Sequence, residues 1–203
     1  MKALFKKLFG ASDKQVIIVV SGLPRSGTSL MMKMLEAGGL PVMQDGIREA
    51  DRDNPKGYYE FERVKQMDKG DTAWMAEAQG KVVKIISALL KHMPPEYEYR
   101  VIFMRRHMKE VLASQRKMLV HRGEDAEKMD DEKMGELFEK HMAQVFAWLG
   151  QQPNVRYIQV HYNDLLADPV AYARQVDEFL DGRLDEQKMI EMVDPKLYRN
   201  RKE

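Results

Sequence analysis

One stretch, residues 16–37, constrains this chain more than any other. It begins with an apolar, β-branched run, Val16–Val20, which is followed by the segment GLPRSGTS at Gly22–Ser29. Beyond Ser29 the apolar residues recur with helical spacing, so the period changes from strand to helix across one turn bracketed by glycines. A buried strand that feeds a glycine-rich loop and then a helix is the layout of a phosphate-binding loop.

This loop suits an anion for a physical reason. Backbone N–H groups of the loop and of the helix start point into one concavity, and the helix dipole adds partial positive charge there. Gly22 and Gly27 allow the backbone to approach the anion closely and to adopt positive φ. The alternative is a glycine-rich turn that binds no ligand, and the order of strand, loop and helix favours the cradle.

The loop departs from the nucleoside triphosphatase pattern GxxxxGK[ST]. Thr28 occupies the position of the lysine that spans the β- and γ-phosphates, and Arg25 stands inside the loop instead. The hydroxyl that would hold magnesium is kept as Ser29, but no candidate strand ends in the aspartate that usually provides a second anchor. We therefore expect a phosphate cradle that does not bind a magnesium triphosphate.

Length and composition narrow the classes of protein. A chain of 203 residues favours one α/β domain, which we assign to residues 16–193, with an N-terminal extension at 1–15 and a C-terminal tail at 194–203. The net charge of +1 gives no bulk attraction to nucleic acid. The chain contains no Cys, which excludes disulfides and thiol chemistry, and its five His lack metal-ligand spacing, so we predict no metal site.

The N-terminal segment MKALFKKLFG at residues 1–10 has two interpretations. Its apolar positions are interrupted by Lys6 and Lys7, so it is too short and too broken for a signal peptide. A locally packed extension is favoured over an amphipathic helix that contacts a membrane or a partner. No apolar run is long enough to cross a bilayer, and we expect a cytoplasmic protein.

Strand-like and helical segments alternate along the rest of the chain. The clearest strand candidates after the loop are Lys81–Ser87, Tyr99–Met104 and Val155–Val160, with Leu40–Met43 as a shorter one. This alternation predicts an α/β three-layer sandwich with a mostly parallel five-stranded sheet, like that of the P-loop nucleoside triphosphate hydrolases.

Ligands of such sheets bind at the carboxyl ends of the strands. That rule predicts that four features share one rim of the sheet: the glycine loop, Lys84–Ser87, Arg105-Arg106 and His161–Asp164.

A second anion site is predicted at the end of the Tyr99–Met104 strand. Arg106 follows this strand, and Ser114 comes eight residues later inside the next predicted helix. A guanidinium and a hydroxyl brought together there would hold a second phosphate. The alternative is that Arg105 and Arg106 pair with surface carboxylates while Ser114 faces water.

Together these motifs resemble the sulfotransferases that use 3′-phosphoadenosine 5′-phosphosulfate (PAPS), in particular compact bacterial members. Gly22–Ser29 is similar to their 5′-phosphosulfate loop, and Arg106 through Ser114 is similar to their 3′-phosphate motif. Tyr162–Pro169 resembles the segment that follows their last strand, so the resemblance covers residues 16–180.

The resemblance implies transfer of a sulfuryl group from PAPS to a hydroxyl or amine, without a metal. It also implies which residues bind the two ends of the donor: Pro24, Arg25, Ser26, Gly27, Thr28, Ser29, Arg106 and Ser114. Arg25 and Lys84 would act in catalysis, Lys84 by stabilising charge on the bridging oxygen as the family's strand-end lysine does. The alternative for Lys84 is an ordinary strand lysine that extends to solvent.

The catalytic base is the point at which this chain departs from the family pattern. Cytosolic members carry His two residues after the strand-end lysine, and that position is Ile86 here. Other members use a glutamate downstream of the loop, for which Glu49 and Glu60 are candidates. Glu60 is preferred, because its neighbours Tyr58 and Tyr59 would partly desolvate it and raise the pKa of its carboxyl group.

Two other functions stay open at the level of sequence. One is a magnesium-dependent phosphotransferase of the nucleoside-kinase type, and the other is a nucleotide-binding module without catalysis. For the sulfotransferase interpretation, the acceptor is a small molecule, a glycan or a peptide, and the sequence does not distinguish among them.

Overall fold

The computed structural model describes residues 16–47, 57–121, 123 and 130–194. The strands are β1 (Ile17–Gly22), β2 (Val42–Met43), β3 (Val82–Lys84), β4 (Tyr99–Arg105) and β5 (Val155–His161). The α-helices are α1 (Thr28–Ala37), α2 (Met108–His121), α3 (Asp131–Leu149), α4 (Tyr162–Ala167), α5 (Pro169–Phe179) and α6 (Glu186–Glu191). Short 3-10 helices cover Glu62–Lys69, Ala73–Ala78 and Ser87–His92. The predicted N-terminal extension 1–15, Glu49 and residues 195–203 of the predicted tail lie outside the described residues.

The five strands form one parallel sheet in the order β2-β3-β1-β4-β5. β1 lies in the centre and is buried along its whole length, which explains its uninterrupted apolar sequence from Ile17 to Val20. The predicted parallel α/β sheet is therefore confirmed.

Side chains of β1 alternate between two cores, one on each face of the sheet. Ile17 and Val19 pack into a core that is covered by α3 and the 3-10 helices. We call this side of the sheet the α3 face. Ile18 and Val20 pack into a second core beneath α1, α4, α5 and α6. Helices cover both faces of the sheet, which confirms the predicted three-layer sandwich.

The register of the sheet brings the strand ends together along one rim. Gly22 of β1 is level with Met104 of β4, and Arg105 of β4 is level with His161 of β5. Lys84 of β3 is level with Val20 of β1. The four features that the sequence assigned to one rim therefore do lie at the same edge.

β3 is shorter than the sequence predicts. It ends at Lys84 and not at Ser87, although the N–H of Ile85 still donates to the carbonyl of Val20 at 3.0 Å. A 3-10 helix begins at Ser87, so the chain turns back over the sheet at Ile86, whose side chain is 46% exposed. An apolar β-branched run does not reveal this early turn, because nothing in it interrupts strand periodicity.

Among the described helices, none combines the length and the apolar character that a bilayer-spanning segment needs.

Candidate anion-binding and active site

The glycine loop follows β1 and leads directly into α1. Gly27 is the residue before the helix, with φ 101°, and it provides no side chain to cap the first turn. Its positive φ turns the chain into the helix, so that the first-turn N–H groups face the loop. The buried Ser26 stabilises the turn, because its Oγ donates to the carbonyl of Leu23 at 2.7 Å.

Arg25 has an unusual backbone conformation for a residue with a side chain. Its φ is 69°, in the left-handed region that costs L-residues of order 1–3 kcal/mol. Such conformations persist where the surrounding structure enforces them, and they concentrate at functional sites. At Arg25 the conformation accompanies a side chain that reaches across the sheet rim to α2.

Both loop glycines are required by close neighbours. A Cβ at Gly27 would lie 2.3 Å from Cδ2 of Tyr162, the first residue of α4. A Cβ at Gly22 would lie 2.6 Å from the carbonyl oxygen of Met104. The loop is therefore packed between β4 and α4, and its backbone position is fixed by contact as well as by φ.

Arg25 joins the two predicted anion sites. Its Nε donates to Oγ of Ser114 at 2.9 Å, and its carbonyl accepts from Nη1 of Arg106 at 3.3 Å. The sequence separates these residues by eighty-nine and eighty-one positions, and the fold brings them into direct contact. Arg106 and Ser114 lie at the same rim as the glycine loop, as the sequence predicts.

The guanidinium of Arg106 is held from two further sides. Its Nε donates to Oε2 of Glu110 at 2.8 Å, and both side chains are more than nine-tenths buried, with exposures of 8% and 4%. Nδ2 of Asn163 donates to Oε1 of the same carboxylate at 3.0 Å. Cζ of Arg106 also lies over the ring of Tyr162, 4.6 Å from its centroid. This support fixes the orientation of Arg106 before any ligand binds.

The pKa of the Tyr162 phenol responds to the charges of Arg106, Glu110 and Arg25. Burial raises the pKa of its phenol, and the carboxylate of Glu110 acts in the same direction. The positive charges of Arg106 and Arg25 act in the opposite direction on this pKa. Both guanidinium groups therefore lie near Tyr162 beside the loop, and the charge of Arg106 is partly balanced by Glu110.

Lys84 and Glu60 meet at the end of β3. Nζ of Lys84 lies 3.8 Å from Oε1 of Glu60, and the two side chains are 9% and 17% exposed. Lys84 also donates to the carbonyl of Tyr58 and lies 5.9 Å from the centroid of that residue's ring. The lysine is thus held near the rim and does not extend freely into solvent, which was the alternative at the level of sequence.

The segment that carries Glu60 is anchored on both sides. The phenol of Tyr59 donates to Oε2 of Glu36 on α1 at 2.7 Å, and burial, with this carboxylate after it, raises the pKa of Tyr59. Oε2 of Glu60 lies 3.5 Å from Nζ of Lys65. These contacts position Glu60 next to Lys84.

Several residues of the site were missed by sequence reasoning. Glu110 was missed, although a carboxylate one helical turn after an arginine was the available signal for it. Tyr162 and Asn163 lie in the His161–Asp164 segment that the sequence placed at this rim, but their contacts with Arg106 and Glu110 were not predicted. The contact between Ser87 and His141, at 2.8 Å from Oγ to Nε2, joins residues that are fifty-four positions apart. No local pattern predicts such a contact.

In the described part of the chain, no three His, Asp or Glu side chains are grouped so that they could hold a metal ion.

A family model for the sulfotransferase family matches residues 58–186, which is more than half of the chain. The match includes Glu60, Lys84, Arg106 and Ser114, and it begins after the glycine loop. No curated protein sequence gives a significant match.

Three solved structures illustrate the likeness in fold. The sulfotransferase domain from the curacin biosynthetic pathway is 17% identical with TM-score 0.53, over 89% of this chain and 78% of that chain. The sulfotransferase domain of the Synechococcus PCC 7002 olefin synthase is 18% identical with TM-score 0.55, over 94% and 85%. Sulfotransferase STF1 from Mycobacterium tuberculosis H37Rv is 15% identical with TM-score 0.54, over 94% and 75%.

Proposed function

The chain belongs to the sulfotransferase family, and we propose that it transfers the sulfuryl group of PAPS to an acceptor hydroxyl or amine. In this reaction the acceptor oxygen or nitrogen forms a bond to sulfur while the bond from sulfur to the bridging phosphate oxygen breaks. The products are the sulfated acceptor and adenosine 3′,5′-bisphosphate, and the acceptor proton passes to a base.

The contact of Arg25 with both Ser114 and Arg106 is the observation that carries this proposal. It links a phosphate loop to a second cationic site at the same rim, and a donor with phosphate at both ends needs two such sites. A nucleoside triphosphate needs a magnesium site beside the loop instead. The loop and the second cationic site together therefore fit a nucleotide that carries phosphate groups at both its 3′ and 5′ positions.

Each end of the donor is assigned its own residues. The loop from Pro24 to Ser29 binds the 5′-phosphosulfate through backbone N–H groups and through hydroxyls of Thr28 and Ser29. Arg106 and Ser114 bind the 3′-phosphate, while Arg25 lies between the two sites. Nε of Arg106 is bonded to Glu110, whereas Nη1 of the same guanidinium is bonded to the carbonyl of Arg25 and therefore lies nearest the loop.

Lys84 is assigned to the leaving group. When the bond from sulfur to the bridging oxygen breaks, negative charge develops on the 5′-phosphate, and an ammonium in a partly buried site stabilises that charge. Support comes from the 9% exposure of the Lys84 side chain and from its carbonyl partner at Tyr58.

Glu60 has two roles that are compatible with its position. It can take the acceptor proton, which is the role predicted from sequence, or it can hold the ammonium of Lys84 in place. Glu49, the other sequence candidate for the base, lies outside the described residues.

The proposal is tested first by calorimetry with adenosine 3′,5′-bisphosphate and 5′-AMP. We expect the bisphosphate to bind more tightly, and we expect Arg106→Lys to remove most of that preference, because lysine cannot reproduce the planar fork of arginine. Arg105→Lys is the matched control, since Nη1 of Arg105 donates to Oε1 of Gln159 at 3.1 Å and its guanidinium lies over the ring of Phe146.

Turnover is tested with 35S-labelled PAPS against a panel of alcohols, phenols, sugars and amines. Transfer of label to one acceptor supports the function and begins to define its substrate class. Equal affinity for the two nucleotides in the wild-type protein would contradict the donor assignment, whatever the acceptor.

A further inference from the structure

The α3 face of the rim carries polar groups that the donor site does not use. Oγ of Ser87 and Nε2 of His141 form a hydrogen bond of 2.8 Å, which joins the start of a 3-10 helix to the middle of α3. Ser87 is 4% exposed and comes three residues after Lys84. The imidazole of His141 is therefore tied to the turn that follows the proposed catalytic lysine.

The position of His141 along α3 brings it to the level of the rim. α3 ends at Leu149 and β5 begins at Val155, so α3 runs antiparallel to the strands and its N-terminal part rises toward their carboxyl ends. Phe146 packs on Phe103, with ring centroids 4.8 Å apart. His141 lies five residues nearer the helix start, which is about 7 Å further toward the rim.

Ser21, the penultimate residue of β1, adds a second observation on the same face. Side chains alternate along a strand, and Val19 packs into the core on the α3 face, so Ser21 faces that side as well. The residue is 0% exposed, and its Oγ has no hydrogen-bond partner among the described residues. A buried hydroxyl without a partner destabilises the folded state, and a bound polar group or water would offset that cost.

From the hydrogen-bonded Ser87–His141 pair and the unpartnered Ser21 hydroxyl on the same face of the rim, we propose that the acceptor binds on the α3 face and that His141 takes its proton. This inference rests on the sulfotransferase function proposed above. It assigns the base to a residue far in sequence from Ile86, the position at which the resemblance expects a histidine. Glu60 then acts as a positioning residue for Lys84.

The acceptor proton passes to the imidazole of His141 in this proposal. Because Nε2 of His141 faces Ser87, the tautomer with a proton on Nε2 donates to Oγ of Ser87 and leaves the lone pair of Nδ1 available. The acceptor O–H proton moves to Nδ1 as the acceptor oxygen bonds to sulfur, and the bridging oxygen leaves with its electron pair on the 5′-phosphate beside Lys84. The imidazolium later releases the proton to water.

The protonation state of the imidazole favours this role. Burial, and after it the positive charge of Lys91, lowers the pKa of His141 below its usual value. Lys91 is on the same 3-10 helix as Ser87, and it is the charged side chain that acts on this ring among the described residues. A neutral imidazole at pH 7 is ready to accept a proton.

The test measures the pH dependence of sulfuryl transfer from labelled PAPS, with water as the acceptor and with each acceptor that the panel identifies. In the wild-type protein we expect the rate to fall on the acid side as one group protonates with a pKa below 6.5, the usual pKa of histidine. We expect His141→Gln to lower kcat roughly 10²–10⁴-fold, to leave the KM for PAPS unchanged, and to remove the acid limb. The matched control is His92→Gln, which should behave as wild type. His92 is the last residue of the 3-10 helix that begins at Ser87.

Three further variants separate the base from the residues that position it. Ser87→Ala should shift the acid limb and lower kcat less than His141→Gln, and Ser87→Thr should restore the profile because it keeps the hydroxyl. Glu60→Gln should lower kcat but keep the acid limb of the imidazole. An acid limb that survives His141→Gln, or that disappears in Glu60→Gln, would overturn the proposal.

Calorimetry with adenosine 3′,5′-bisphosphate distinguishes failure of the proposed sulfotransferase function from failure of the assignment of His141 as the base. A wild-type protein that does not bind this nucleotide refutes the proposed function itself. A protein that binds it, but transfers sulfuryl to neither water nor any panel member, overturns the assignment of His141, because no proton is then taken. NMR of the labelled imidazole gives an independent readout: the proposal requires the Nε2–H tautomer and a response of this ring to bound nucleotide.

Discussion

Nε of Arg25 donates to Oγ of Ser114 at 2.9 Å, and this one hydrogen bond connects the glycine loop to α2. Arg25 holds a left-handed backbone conformation, and its carbonyl accepts from Arg106. A ligand that occupies the loop therefore reaches the second cationic site through a residue that belongs to both.

Ser114→Ala should weaken the binding of adenosine 3′,5′-bisphosphate much more than that of 5′-AMP. A hydrogen bond that involves a charged group contributes about 1.5–3 kcal/mol, so we expect a rise in Kd of roughly ten- to hundredfold in calorimetry. Ser87→Ala is the matched control, because both serines are nearly fully buried, at 3% and 4% exposure, and Ser87 faces His141. Equal losses for both nucleotides would show that Ser114 acts on the fold and not on the 3′-phosphate.

Gly27→Ala should destabilise the protein more than Gly39→Ala. The two glycines have nearly the same φ, 101° and 102°, but a Cβ at Gly27 meets the ring of Tyr162 at 2.3 Å and one at Gly39 meets nothing within 4 Å. We expect about 1–2 kcal/mol for Gly39→Ala from φ alone, and about 1–3 kcal/mol more for Gly27→Ala. Chemical denaturation gives both values, and Tyr162→Leu in the Gly27→Ala background should recover part of the difference. Equal costs would mean that the contact with Tyr162 is not tight.

Lys84→Met should lower kcat strongly while the Kd for adenosine 3′,5′-bisphosphate changes little. The ammonium is proposed to stabilise charge that develops only as the bond to the leaving oxygen breaks, and such interactions act on the transition state. We expect a loss of about 10²–10³-fold, measured with labelled PAPS. Lys69→Met is the control, since Lys69 is exposed at the end of a 3-10 helix and donates to Gln66. A loss of nucleotide affinity as large as the loss of kcat would assign Lys84 to binding.

Glu110→Ala should unfold more easily than Glu110→Gln. Glu110 is 3% exposed, and removing its side chain leaves the buried guanidinium of Arg106 without its partner at 2.8 Å. Removing one partner of a buried ion pair typically costs about 3–5 kcal/mol, whereas glutamine keeps an oxygen that accepts from Arg106. Thermal unfolding compares the two variants, and similar melting temperatures would show that the carboxylate is not needed to hold Arg106.

The stability of the protein should depend on pH through His141. Its pKa is lower in the folded protein than the usual histidine pKa of 6.5, so between these two pKa values the unfolded chain binds more protons than the folded one. The free energy of unfolding therefore rises with pH across that window and becomes flat above it. His141→Gln should remove this contribution, which denaturation at several pH values would measure against His92→Gln. An unchanged slope in His141→Gln would contradict the lowered pKa.

Local pattern determined a large part of this protein from its sequence. The change from strand to helix period across Gly22–Ser29 fixed the loop, and the alternation of strands and helices fixed a parallel sheet with one functional rim. Arg106 and Ser114 were predictable from local sequence, because Arg106 directly follows a strand and Ser114 lies eight residues later in the next helix. The sulfotransferase resemblance depended on the same local spacings.

The tertiary structure decided the contacts that no spacing specifies. Arg25 meets Ser114, Lys84 meets Glu60, and Ser87 meets His141 only because the parallel register aligns the strand ends and because α3 runs back along the sheet. Backbone preferences act over a few residues, so they determine elements and their order along the chain. Which side chains share a pocket depends on packing of the two cores, and packing is a property of the whole domain.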